Sequence, residues 1–145
     1  MKKIFIFISP LFLLFFQPGK AQDIAPNQVP QKISESFQNK FPKAKDVEWE
    51  RKGNLYAVEF ETGRSDGHYI LMDVSGVIVR HEEEDISKKD IPLAIINALK
   101  ANYPKHRVEE IDRVTEKDGI KYKIELENRQ NELEVYFTED GSELQ

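Results

Sequence analysis

The chain contains one stretch twice, and this duplication constrains its fold more than any other feature. Val29 to Lys43 reads VPQKISESFQNKFPK, and Ile91 to Lys105 reads IPLAIINALKANYPK. A shift of 62 positions places Pro30 on Pro92, Ile33 on Ile95, Phe37 on Leu99, Phe41 on Tyr103 and Pro42 on Pro104. The apolar anchors recur at every fourth residue, the spacing that lines up one helical face. A proline is tolerated at the first helical position, where the N–H has no partner anyway. The second proline ends the helix by disfavouring helical geometry in the residue before it. Each copy therefore predicts a helix of about three turns, from about Pro30 to Lys40 and from about Pro92 to Asn102.

The segments after each helix alternate with a period of two. Val47 and Trp49 alternate with Glu48 and Glu50, and Tyr56, Val58 and Phe60 share one face of the next segment. Lys52-Gly53-Asn54, Ser65-Asp66-Gly67 and Ser75-Gly76 carry turn chemistry, with short strands expected over 68–74 and 77–80. In the second half, Arg107 to Glu116 breaks the period and predicts a bulge. Ile120, Tyr122, Ile124 and Leu126 then alternate with Lys121, Lys123, Glu125 and Glu127, and Leu133, Val135 and Phe137 supply another core row. The fold class read from this pattern is α+β: two tandem repeats of one helix followed by an antiparallel β-meander, with the helices packed on one face of the sheet. The boundaries are a signal peptide at 1–21, a polar lead-in at 22–28 expected to fray, repeat one at 29–81, a charged linker at 82–90 and repeat two at 91–145. Units of this size are marginal alone, so the two are expected to pack together.

Lys2 and Lys3 precede an apolar run from Ile4 to Phe16, and Gly19-Lys20-Ala21 offers small residues for a cut between Ala21 and Gln22. That is the pattern of a secretory signal, and the run is shorter than the ~20 residues a spanning helix needs. The expected location is periplasmic or secreted, with no membrane insertion of the mature chain. Without cysteine the fold must hold with no disulfide in an exported compartment. From Gln22 onward there are 18 basic and 26 acidic side chains, a net of −8. That balance, with no basic stripe, argues against nucleic acid and anionic lipid as partners.

The chemistry-bearing residues give no enzyme. There is no cysteine nucleophile, no glycine pattern around a serine and no glycine-rich phosphate loop. His68, His81 and His106 lie on separate elements with no second ligand at metal spacing nearby, so they read as ordinary surface or edge histidines and no metal is assigned. Asp73 to Gly76 and Glu139 to Glu143 have too few oxygen ligands for a calcium loop, and turn chemistry accounts for them. No cofactor is implied.

The signal, the doubled helix with its Phe/Tyr-Pro-Lys end and the meander closing in an Asp/Ser-Gly turn resemble the PepSY-like exported proteins of Gram-negative bacteria. The residues carrying the resemblance are Pro30, Phe41, Pro42, Trp49, Tyr56, Val58, Phe60 and Gly76, then Pro92, Tyr103, Pro104, Gly119, Tyr122, Ile124, Phe137 and Gly141. The family is related in fold to the beta-lactamase inhibitor protein. The resemblance implies a non-catalytic binding module for a protein or peptide in the periplasm, with inhibition of a peptidase or other hydrolase as its role. The chain departs from the disulfide-stapled inhibitor in lacking cysteine. A small-molecule or ion-binding carrier and a structural component of an envelope assembly are the alternatives.

One surface stands out for binding. On the sheet side away from the helices, repeat two places Lys121, Lys123, Glu134 and Tyr136 where repeat one places Leu55, Ala57, Tyr69 and Leu71. An apolar group on an otherwise charged face marks a contact site, and Tyr69 suits an interface anchor.

Overall fold

The computed structural model describes residues 22–63 and 66–144. The expected signal segment, its cleavage point and the tip of the turn at 64–65 lie outside the described residues. Among the described residues, nine strands form one antiparallel sheet whose spatial order is the chain order. The strands are β1 (Gln22–Ile24), β2 (Lys45–Lys52), β3 (Leu55–Thr62), β4 (Asp66–Met72), β5 (Ile78–Glu83), β6 (Arg107–Glu116), β7 (Gly119–Glu127), β8 (Glu132–Thr138) and β9 (Glu143–Leu144). Helix α1 (Gln31–Lys40) precedes β2, and helix α2 (Leu93–Asn102) precedes β6.

Both helices begin one residue after the proline, so Pro30 and Pro92 are the capping residues in extended geometry rather than the first helical residues. Each helix ends where expected: Phe41 and Tyr103 close it by donating their N–H to the carbonyls of Phe37 and Leu99, both at 2.8 Å. Ile33 and Phe37 from α1 join Trp49, Tyr56, Val58, Phe60, Ile70 and Met72 in one core. Ile95 and Leu99 from α2 join Ile111, Tyr122, Ile124, Leu126, Val135 and Phe137 in a second. Strand register carries one face continuously from Val58 to Ile70, His81, Thr115 and Ile120, so both cores lie on the same side of the sheet.

Several expectations need correction. The lead-in does not merely fray: Gln22, Asp23 and Ile24 pair with Arg51, Glu50 and Trp49 as an edge strand. The fourth strand of repeat one continues past Arg80, so His81, Glu82 and Glu83 belong to β5 and the connection to α2 starts at Glu84. Within it, Ser87 caps a short 3-10 turn (Lys88–Asp90) ahead of the helix, its Oγ accepting from the Lys89 N–H. Asp66 and Gly67, expected in a turn, are already paired with Thr62 and Glu61. Phe41 and Tyr103, which the helical spacing places in the core, are only half-buried at its edge, because each sits just past the helix end. The bulge expected in β6 is present between Val108 and Glu110, and an unexpected one falls in β2 at Asp46, whose φ is 50°.

The repeats meet edge to edge through β5 and β6, with Arg80, His81, Glu82 and Glu83 opposite Glu116, Thr115, Val114 and Arg113. Repeat two therefore extends the sheet of repeat one and does not cover its open face.

Candidate binding face

The open face is built from the side chains that alternate away from the helices. Ala57 on β3 lies opposite Glu50 on β2 and Leu71 on β4; Glu59 lies opposite Tyr69; Leu55 lies opposite Lys52. All four sequence-predicted residues fall on this face. They are not equally available. Ala57 is only 1% exposed, because a methyl group is overtopped by the longer Glu50 and Leu71 beside it. Leu55, Tyr69 and Leu71 are half-buried. Tyr69 is held in place: its hydroxyl accepts from Lys52 Nζ at 2.8 Å, and the ammonium lies 4.8 Å from the ring centroid. That hydrogen bond raises the Lys52 pKa, against burial and with help from Glu50 at 3.2 Å.

Toward repeat two the same face becomes a lattice of charge. Tyr69 and Leu71 lie opposite Glu82 and Arg80. Arg80 bridges Glu82 at 2.8 Å and Glu116 at 2.7 Å, and Lys121 joins Glu116 at 3.2 Å. Lys123 reaches Glu82 at 3.3 Å and Asp112 at 2.5 Å. Burial works to lower the Lys123 pKa, but the hydrogen bond and charge of Asp112, with Glu82, hold it well above the usual lysine range. The Arg80 hydrogen bond holds the Glu116 carboxyl below its ordinary value, assisted by Lys121. Val114 lies in register between Glu82 and Lys121 and is 2% exposed beneath them. Spacing alone missed this lattice, because the partners are 36 and 41 positions apart in the chain. Only the β5–β6 register brings them together.

On the helix face, the structure joins two histidines that the sequence leaves 13 residues apart. His68 Nδ1 and His81 Nε2 are 3.1 Å apart across β4 and β5, and His68 Nε2 is 2.8 Å from Thr62 Oγ1. His68 stacks on Phe60 with ring centroids 4.9 Å apart, and Phe41 meets His81 edge-on. Burial lowers the His81 pKa, outweighing the opposite pull of Glu83. Glu83 is ion-paired with Arg113, which lowers its pKa despite burial. His106 stands apart, with Nε2 2.7 Å from Asn128 Nδ2. Asp73 and Asp140 are engaged in their own turns: Asp73 Oδ1 accepts from the Ser75 and Val77 N–H groups, and Asp140 Oδ1 from the Ser142 N–H.

The family described as "Putative beta-lactamase-inhibitor-like, PepSY-like" matches the chain twice, over residues 17–80 and 73–144. The chain belongs to this PepSY-like family. Its two matches correspond to the two helix-bearing halves of the sheet. Similar solved structures include a DUF2874 family protein from Bacteroides uniformis, with a TM-score of 0.70, 17% identity and coverage of 81% of this chain and 87% of that one. A BLIP-like protein from Bacteroides fragilis has a TM-score of 0.67 and 20% identity, covering 80% of this chain and 83% of its own. A "putative periplasmic" protein from Bacteroides eggerthii has a TM-score of 0.70 and 16% identity, covering 81% and 86%. At these identities the likeness is one of fold. No curated protein matches the PepSY-like chain. Among its described residues, no helix is long and apolar enough to cross a membrane.

Proposed function

We propose that this PepSY-like protein is a non-catalytic binding module of the periplasm or cell exterior, which presents its open sheet face to a protein or peptide and inhibits or regulates a peptidase or other hydrolase. The observation that carries the reading is Tyr69, fixed by Lys52 and flanked by Leu71, on a face that repeat two leaves uncovered. A held aromatic ring loses little further freedom on contact, and preorganisation of this kind converts contact area into affinity. The self-paired Arg80, Glu82 and Lys123 beside it exclude partners that lack complementary charge. The BLIP-like name of one structural relative supports an inhibitor-like role over a carrier or an envelope scaffold.

The experiment is a pull-down from periplasmic extract with the wild-type protein and with a Tyr69→Lys/Leu71→Lys variant. The proposal expects one stoichiometric hydrolase or peptidase with the wild type, its loss with the variant, and a melting temperature within a few degrees of wild type. Recovery of the same partner by both proteins contradicts the assigned face. Recovery of envelope scaffold proteins alone contradicts the inhibitory role.

A further inference from the structure

The histidine pair on the helix face is not explained by the fold. In repeat one, Phe60 lies opposite His68; at the same register in repeat two, Leu126 lies opposite Leu133. An apolar pair is therefore sufficient to build this part of the sheet, and repeat one has a basic ring there. The second ring, His81, projects from the neighbouring strand at the seam between repeats, with Glu83 two residues on, on the same side of β5.

The geometry suits an ion shared between these groups. Two nitrogens bound to one tetrahedral ion at ~2.0–2.1 Å each stand about 3.3–3.4 Å apart, close to the 3.1 Å between His68 Nδ1 and His81 Nε2. One ligand atom from each of His68, His81 and Glu83 lies within 4.8 Å of the other two. Thr62 at 2.8 Å from His68 Nε2 holds the far side of that ring, the kind of outer hydrogen bond that orients most metal-bound imidazoles, and an ion would replace the hydrogen bond between His68 Nδ1 and His81 Nε2. Arg113 engages one oxygen of Glu83; a carboxylate has two, and ligating carboxylates are commonly hydrogen-bonded in this way. All three side chains are half-buried, so an ion can enter without the sheet opening.

We propose that His68, His81 and Glu83 form a binding site for one divalent ion of the zinc, nickel or copper class, with water completing the coordination. Two imidazoles and one carboxylate select this class over calcium and magnesium, which take oxygen ligands. The ion would tie β4 to β5 on the face opposite Tyr69, so the proposal does not rest on the binding-face reading.

The test is titration of tag-free, chelator-treated protein with zinc chloride and with copper(II) chloride against a chromophoric competitor. The expected result is one equivalent bound, weakened at least about tenfold in His81→Gln and about tenfold in Thr62→Val, and unchanged in His106→Gln. Equal affinity in wild type and His81→Gln overturns the site, as does failure of the wild type to bind either ion. If His81→Gln does not fold, ring-nitrogen NMR of the wild type decides instead. Zinc should shift the His68 and His81 signals and leave those of His106; a spectrum without that difference overturns the site.

Discussion

Asp112 and Lys123 face each other across β6 and β7 with 2.5 Å between carboxylate oxygen and ammonium nitrogen, and Asp112 is 1% exposed. The other Asp112 oxygen accepts the N–H of Asp85 at 3.0 Å. Asp85 has a φ of 48°, where the chain leaves β5 for the connection to α2. One buried carboxylate thus holds both the charge lattice and the junction between repeats.

Removing the lysine alone strands that carboxylate. Lys123→Met should destabilise the protein by about 3–5 kcal/mol, the usual consequence of breaking one side of a buried pair. Asp112→Asn combined with Lys123→Met should cost markedly less, since asparagine keeps an oxygen for Asp85 and carries no charge. Denaturant unfolding of both variants and of Asp112→Asn alone, read as a double-mutant cycle, measures the difference. Equal losses would show that the pair contributes packing alone.

Glu84 gives a pH dependence of known sign. Burial raises its pKa first, and the like charges of Asp112, Glu59 and Glu82 add to it. A folded-state pKa above the unfolded one means that the neutral form favours folding: its contribution is complete below the unfolded pKa and is lost as pH rises through the folded pKa. Glu84→Gln should therefore raise the melting temperature at pH 7 and lose that advantage near pH 4. The depressed carboxyls Glu83 and Glu116 act in the opposite sense, weakening both proteins as pH falls, so the quantity to follow is the difference between variant and wild type. A gain independent of pH would contradict the assignment.

The two closing turns dock on the helices in the same way. Gly76 approaches the Lys32 carbonyl and Gly141 the Ala94 carbonyl, the counterpart of Lys32 in the second helix, and both glycines have a φ of 83°. Ser36 Oγ adds a 2.7 Å hydrogen bond to the Gly76 carbonyl. A Cβ on Gly141 would lie 2.8 Å from the Ala94 oxygen, whereas one on Gly53, also at positive φ, meets nothing within 4 Å. Gly53→Ala should cost about 1 kcal/mol of backbone strain, and Gly141→Ala should exceed it by about 1–3 kcal/mol. Equal thermal shifts for the two variants would show that the turn does not press on the helix.

What could be read from the chain was whatever local chemistry dictates. The Phe41-Pro42 and Tyr103-Pro104 stops mark helix ends, the alternation from Ile120 to Leu126 marks a half-buried strand, and Val108 and Ile111, three apart on one face, betray the bulge; Val114 misses the period for another reason, since it lies on the open face beneath Glu82 and Lys121. Gln22 to Ile24 is too short to alternate, and only the open edge of β2 makes it a strand. Leu55, Ala57, Tyr69 and Leu71 could be placed on one face by counting in twos, but the burial of Ala57 depends on Glu50 and Leu71 from neighbouring strands. The Arg80, Glu82, Asp112 and Lys123 lattice and the His68–His81 pair were illegible for the same reason. Register across strands creates them, and register is not written in the spacing of either partner.

In the proposed complex, the face carrying Tyr69 meets the partner. Hydrogen–deuterium exchange on the protein alone and in complex with the captured partner tests it most directly. Added protection is expected in β3, β4 and β5 around Ala57, Tyr69, Leu71 and Arg80, with α1 and α2 unchanged. Protection confined to the helices, with β3 to β5 exchanging as in the free protein, would contradict it.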